Sequence, residues 1–189
     1  MADWDERYRQ GSHATLEPNA LLVRASENLL PGRALDIACG AGRHALFLAG
    51  RGWQVTAVDA SRVGIEITRE RARKLNVEVD ARVADLERGE FEIEREAYDL
   101  ITVFYYLQRN LWPQIRAGLR SGGALIAAIH LADEDAENET GNPDFLLQPN
   151  ELRSEFSDWE ITHYHETKLT DEDAGEHHRR TAEIVARKP

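Results

Sequence analysis

Along this chain, short apolar runs alternate with stretches whose apolar residues recur every three or four positions. Ala34-Leu-Asp-Ile-Ala38, Val55-Thr-Ala-Val58, Leu100-Ile-Thr-Val-Phe104 and Ala124-Leu-Ile-Ala-Ala-Ile129 are mostly apolar at both odd and even positions, and 79–83 is a weaker run of the same kind. Runs apolar on both faces predict strands buried in a parallel sheet. Between them, 43–48 predicts a short helix stopping at Gly50 and Gly52. After Ser61, residues Gly64, Thr68, Ala72 and Leu75 fall on one predicted helix face, opposite Arg and Glu. Asn110 predicts a helix cap with Pro113 in the first turn. Leu111, Ile115 and Leu119 form the stripe of that helix, and Gly122-Gly123 its stop. Residues 86–97 are acidic and aperiodic, which leaves loop and ragged helix both open.

The last third of the chain changes period. Residues 159–167 and 181–187 alternate, joined through Asp171-Glu-Asp-Ala-Gly175, and predict a hairpin with a long loop. The predicted fold class is α/β, a mostly parallel sheet with helices on both faces and a C-terminal antiparallel hairpin. Its ligand crevice belongs at the carboxyl ends of the early strands.

Composition narrows the class. A chain of 189 residues predicts one domain, 1–189, with 1–30 as an N-terminal helical cap. Residues 131–148, acidic and aperiodic from 133 to 142, are expected to be either a lid or a plain surface loop. Hydrophobic content of 42% beside 30% charged residues excludes a disordered or membrane-embedded chain. Lys and Arg number 23 against 34 Asp and Glu, and the net charge of −11 argues against phosphate-backbone binding. Cys39 is the single cysteine, so no internal disulfide forms and a reducing compartment suits the chain. The first residues lack a secretory pattern, and no apolar run reaches the ~20 residues of a membrane span, so a cytoplasmic location is expected.

The strongest chemical signal is Asp36-Ile-Ala-Cys-Gly40-Ala-Gly42-Arg-His44, where a strand turns into a helix. Glycines there let a ligand approach the backbone and leave amide N–H groups aimed at it. The spacing Gly40-x-Gly42-x-x-Ala45 also fits a dinucleotide fingerprint, so a nicotinamide-dependent oxidoreductase stays open. Three acids bear on the choice. Asp36 lies inside the first strand, where a dinucleotide strand needs none; Asp59 ends the second strand, placed for both hydroxyls of a ribose; Asp85 follows the third, placed for an adenine edge. Together with the glycines they predict a nucleoside ligand.

With these residues the chain resembles the class I S-adenosylmethionine-dependent methyltransferases. Leu35-Asp-Ile-Ala-Cys-Gly-Ala-Gly42 is similar to that family's first motif, with Ala38 where glycine is commoner, a change read as mild because it adds one methyl. Val55-Thr-Ala-Val-Asp-Ala-Ser61 resembles the second motif and Ala84-Asp85-Leu86 the third. Within the family, the likeness is to the small tellurite-resistance (TehB-like) methyltransferases. It rests on the Trp4–Tyr8 opening, Gly42-Arg-His44, Asn142-Pro-Asp-Phe-Leu-Leu147 with Pro149-Asn-Glu-Leu152, and Arg180-Thr-Ala-Glu-Ile-Val-Ala-Arg-Lys188.

The resemblance implies a Rossmann-like seven-stranded sheet and S-adenosyl-L-methionine as cofactor. It implies that Ala38, Gly40 and Gly42 line the amino-acid and ribose part of the cofactor, that Asp59 takes the ribose, and that Ala60, Ser61, Asp85 and Leu86 surround the adenine. Phe104 then presents backbone carbonyls near the sulfonium. Tyr8 either closes over the cofactor or packs the first helix onto the sheet.

Acceptor residues are less sharply marked. Tyr105, Tyr106 and Arg109 follow the fourth strand as one pocket wall, with Tyr105 in the core as the other reading, and His130 ends the fifth strand. His178 and Arg180 share a face near the last strand, placed to bind an anionic oxo-substrate or to accept a proton, with a solvated basic patch as the other reading. His163, His165, His177 and His178 lack the ligand spacing of a zinc motif, so no metal site is expected, and Cys39 reads as a packing residue. The expected partner is a small molecule or oxyanion, a thiol included, with no nucleic acid and no membrane. Phe104-Tyr-Tyr-Leu107 stands where a base-clamping Pro-Pro-Tyr would be. Monomer and homodimer both stay open, as does a non-catalytic binding module on the same fold.

Overall fold

The computed structural model describes residues 4–11, 15–132, 142–167 and 180–189. The elements run α1 Trp4–Arg9, α2 Ala20–Ser26, β1 Arg33–Ile37, α3 Arg43–Ala49, β2 Gln54–Asp59, α4 Arg62–Leu75 and β3 Val79–Val83. They continue with β4 Tyr98–Phe104, α5 Trp112–Gly118, β5 Leu119–His130, α6 Glu151–Glu155, β6 Glu160–Glu166 and β7 Thr181–Arg187. Seven strands form one sheet in the order β3-β2-β1-β4-β5-β7-β6. The first five strands are parallel, and β7 is antiparallel to both β5 and β6.

Strand alternation divides the interior into two layers. Leu35, Ile101, Leu125 and Ala127 face the layer closed by Ile115 of α5, Leu152 of α6, Phe156 and Trp159. Their neighbours Ala34, Leu100, Ala124 and Ile126 face the opposite layer, closed by Leu22 of α2, Leu48 of α3 and Ile65 of α4. Consecutive apolar residues are thus buried on opposite faces, which is why the runs show no alternation in sequence.

Several element boundaries differ from the sequence expectation. The helix carrying Pro113 begins after a short 3-10 turn at Arg109–Leu111 and stops at Gly118, not at Gly122-Gly123. A Cβ at Gly118 would stand 2.4 Å from Ile93 Cγ2, so the chain needs glycine there to pass under the 86–97 loop. Leu119, expected on the helix, is the first residue of β5, and the two later glycines lie within that strand. Residues 86–97 are loop and turn. In α4 the buried face is Gly64, Ile65, Thr68 and Ala72. Leu75 comes round to the same side after eleven residues, yet as the final helical residue it is 53% exposed.

The predicted hairpin strands form, with β7 inserted between β5 and β6, so that β6 is the far edge of the sheet. Its loop, with His177 and His178, lies outside the described residues, as does 133–141 of the proposed lid. On either side of 133–141 the chain returns to itself: Leu131 and Leu147 form a parallel bridge, and the Leu147 amide donates to the His130 carbonyl at 2.9 Å. Among the described residues no helix is long and apolar enough to cross a membrane.

Candidate active site

The carboxyl ends of β1, β2 and β4 surround a cavity of about 620 Å3. Its floor is the turn after β1. Cys39 N donates to the Val58 carbonyl (3.0 Å), Gly40 N to Asp59 Oδ2 (2.8 Å) and Gly42 N to the Cys39 carbonyl (2.9 Å). The Cys39, Gly40 and Gly42 amides are therefore engaged within the fold and are not aimed at a ligand as expected from sequence. Ala38, Gly40 and Gly42 all have left-handed φ, at 53°, 54° and 79°. For Ala38 this corrects the view that its methyl is nearly neutral, since a left-handed non-glycine residue costs roughly 1–2 kcal/mol.

Gly40 and Gly42 serve different neighbours. A Cβ on Gly40 would stand 2.2 Å from the Tyr8 hydroxyl, so glycine admits α1 over the turn. A Cβ on Gly42 would stand 2.5 Å from Thr68, so that glycine seats α4, and it does not line the cavity. Thr68 Oγ1 donates to the Gly40 carbonyl at 3.2 Å and ties helix to turn.

The three acids also separate. Asp59 accepts from Gly40 N and, through Oδ1, from Ser61 N (2.7 Å) on the cavity wall. Burial raises its pKa against the lowering effect of those two amides. Asp85 lines the cavity beside Leu86, its carboxylate accepting from Glu87 N at 2.9 Å. Asp36 instead lies behind the turn, 1% exposed, accepting from Thr102 Oγ1 (2.8 Å) and Ala45 N (3.1 Å). Burial pushes its pKa up to about 7, with the Thr102 and Ala45 hydrogen bonds opposing. It holds β1, β4 and α3 together and does not reach the cavity. Burial likewise raises the Cys39 thiol well above its usual range, helped by Asp36, which fits the expected packing role.

Ser61 is also drawn away from the ligand side. Its hydroxyl caps α4 by accepting from Gly64 N (2.9 Å) and donates to Asp5 Oδ1 (2.5 Å). Asp5 Oδ1 takes a second bond from Val63 N (3.2 Å), so α1 is fastened to the start of α4. Three residues on, Tyr8 reaches over Gly40; its pKa is raised by burial and then by Asp59.

Ala60, Phe104 and Tyr106 line the cavity as well. The Tyr106 hydroxyl donates to Gln108 Oε1, and Gln108 Nε2 donates to the Leu86 carbonyl (3.1 Å). Arg109 is a correction. Its guanidinium pairs with Glu151 through two bonds (2.6 and 2.9 Å) and donates to the Asp144 and Leu146 carbonyls, both at 2.9 Å. It clamps the 142–151 segment and does not line the cavity. Arg180 stands at the leading end of β7, where Nε donates to the Thr167 carbonyl (3.3 Å) and its own carbonyl accepts from Leu131 N (2.9 Å).

Several cavity residues escaped the sequence reading as site residues, among them Arg43 and His44, which directly follow the first motif. His44 is buried with its ring 4.1 Å from that of Phe104, and Nε2 accepts from Asn19 N at 3.3 Å. Burial, then the Arg43 charge, holds its pKa well below the usual range, so it is neutral.

The family model for the tellurite resistance protein TehB matches residues 4–186. The chain belongs to the TehB family. It is 27% identical over 194 residues to the probable S-adenosyl-L-methionine-dependent methyltransferase TehB of Haemophilus influenzae, covering 97% of this chain and 66% of that protein. It is also 29% identical over 168 residues to hemagglutinin 1 of Eikenella corrodens, covering 84% of this chain and 54% of that one. The chain thus spans between about half and two thirds of these curated relatives. The crystal structure of TehB from H. influenzae superposes with a TM-score of 0.77 at 24% identity, covering 98% of this chain and 67% of that one, a likeness of fold. With the TehB match, the dinucleotide reading of the glycine spacing falls away.

Proposed function

We propose that this chain is an S-adenosylmethionine-dependent methyltransferase acting on a small-molecule acceptor. One observation carries the reading: the Asp59 carboxylate stands on the cavity wall already oriented by the Gly40 and Ser61 amides. Each of its oxygens accepts one amide and keeps a second lone pair, an acceptor pair that the two hydroxyl donors of a vicinal diol satisfy. The cavity falls within the roughly 300–1,000 Å3 of ligand sites. Gly40 lines the cavity beside the Tyr8 hydroxyl, and Asp85 and Leu86 supply the polar and apolar sides an adenine needs. The names of the Haemophilus relatives support the same cofactor.

When bound, the cofactor supplies an electrophilic methyl group on a sulfonium, so the protein need not form a covalent bond. In this reading Asp59 holds the ribose, Ala60, Asp85 and Leu86 enclose the adenine, and Ala38, Gly40 and Phe104 border the methionyl end. Tyr8 on α1 closes the cavity from above and excludes water, raising the effective concentration of acceptor at the reacting carbon. Asp36, Gly42 and Ser61 act from behind, holding the turn and α4 in place. Arg180, like Arg109, is not among the residues lining the cavity, so the acceptor contact expected of it from sequence is not carried into this reading. A net charge of −11 favours a small acceptor over a nucleic acid.

Isothermal titration with S-adenosylhomocysteine tests the assignment. The wild-type protein is expected to bind it, and Asp59→Ala to bind at least tenfold more weakly. Absence of binding by the wild type, or equal affinity in the variant, removes the proposal.

A further inference from the structure

Chain order puts Tyr106 beside Tyr105 on one wall, but the two neighbours part company in the fold. Tyr105 stands against His130, ring centres 5.0 Å apart. The Tyr106 hydroxyl lies on the acidic side. Burial raises its pKa, and the charges of Glu87, Asp85 and Asp59, in that order, raise it further, so the phenol keeps its proton. All three acids line the cavity with it.

A relay of groups fixes where that proton points. The Leu86 carbonyl can only accept, so the atom meeting it at 3.1 Å is Gln108 Nε2, and the other end of that side-chain amide is its oxygen. That oxygen can only accept in turn, so Tyr106 donates to it. With its proton committed to Gln108, the hydroxyl oxygen offers the cavity lone pairs. The neighbouring turn uses its own polar groups internally. Asp85 N donates to Glu90 Oε2 (2.9 Å), while Glu87 N and Arg88 N both donate to Asp85 Oδ1 (2.9 and 3.3 Å). Asp85 Oδ2 pairs with Arg88 Nε at 3.5 Å. The Asp85 carboxylate is thus turned towards its own loop, and the Tyr106 oxygen is a neutral acceptor on the same wall.

We propose that Tyr106 is a specificity-determining residue, its hydroxyl oxygen accepting from the 6-amino group of the bound purine, and that Gln108 is a positioning residue that keeps this oxygen an acceptor. This rests on the methyltransferase reading above and names the residue that chooses the nucleoside. A hydroxyl whose proton is free to rotate serves as donor or acceptor, so it does not tell an amino group from a keto oxygen. Once Gln108 holds the proton, an amino group donates to the Tyr106 oxygen, whereas a keto oxygen in its place meets lone pairs. A site built on a hydrogen bond of fixed polarity rejects the analogue that reverses it more strongly than an apolar fit does. Glu87 and Asp85 add to the effect, since their charges favour the positive edge of an amino group.

The test is calorimetric titration of the wild type, Tyr106→Phe and Gln108→Leu with S-adenosylhomocysteine and with S-inosylhomocysteine, whose purine carries a keto oxygen and a ring N–H where adenine has an amino group and a bare ring nitrogen. The readout is the ratio of the two affinities on one preparation, from which any loss of folded protein cancels. The wild type is expected to prefer the adenosyl compound by about tenfold or more. Tyr106→Phe keeps the ring and loses the oxygen; its affinity for S-adenosylhomocysteine should fall about fivefold, the worth of one neutral hydrogen bond, and the ratio with it. Gln108→Leu frees the tyrosine proton to meet the keto oxygen, so S-inosylhomocysteine should bind about fivefold more tightly while S-adenosylhomocysteine stays within about twofold of wild type. Equal weakening of both ligands in Gln108→Leu would mean mere support of the wall and overturns its positioning role. A wild type that binds the two equally, or a ratio left intact in Tyr106→Phe, overturns the assignment of Tyr106. A wild type that binds neither sinks the methyltransferase reading itself.

Discussion

Thr102 Oγ1 donates to Asp36 Oδ1 across 2.8 Å at the point where β1 and β4 place the two residues side by side in register. An ionisable group thus sits in the middle of a parallel sheet, between two apolar layers, with its other oxygen taken by the first turn of α3.

The pKa of Asp36 in the fold, about 7, lies above its unfolded value near 3.9. The fold therefore binds the proton more tightly than the unfolded chain does. This contribution to stability is complete below about pH 4 and is lost as pH rises through 7. Asn at 36 reproduces the protonated acid, accepting from Ala45 N and donating to Thr102. Asp36→Asn should flatten the fall in stability between pH 4 and 7 and exceed wild type at pH 8, by up to about 4 kcal/mol at 1.36 kcal/mol per unit. Urea melts at pH 5 and pH 8 check it; parallel pH dependence in both proteins contradicts it.

Gly40→Ala combines a left-handed φ with a Cβ 2.2 Å from the Tyr8 hydroxyl. Thermal melts should show a loss of about 2–4 kcal/mol, from backbone strain and displaced aromatic packing. Adding Tyr8→Phe removes the nearest atom and leaves Cζ at 3.1 Å, so the double variant should recover part of the loss but not the φ penalty. Strictly additive effects in that cycle would show that the tyrosine does not press on the turn.

The bonds from Ser61 and Val63 to Asp5 hold α1 down. Asp5→Ala should therefore release the N-terminal helix while leaving the global melting transition within about 1 kcal/mol of wild type. Tryptic cleavage after Arg7 and Arg9 reads the open population, and about fivefold faster cutting is expected.

Arg109→Ala deletes the clamp on 142–151 and should cost about 1–2 kcal/mol, with S-adenosylhomocysteine affinity unchanged. Lysine does not restore it, because the two-pronged pairing with Glu151 needs the guanidinium fork. A drop in affinity without loss of stability would return Arg109 to the binding site.

What the sequence by itself determined was the layered α/β plan and the residues at the crevice. Apolar runs on both faces leave a strand no exposed side, and glycines at a strand end leave few other conformations. Asp59, Asp85 and Gly40 were legible because strand ends of a parallel sheet converge on one rim. What only the tertiary structure decided was direction. Asp36 and Asp59 look alike in sequence, yet one is turned into the sheet by Thr102 and the other into the cavity by Gly40. Arg109 read as a pocket residue until Glu151, 42 positions away, claimed it. Asn19 and Arg43 gained their places through partners on other elements. Local pattern sets which residues reach a rim; a side chain's hydrogen-bond partner depends on contacts between segments distant in sequence, and those exist only once the layers have packed.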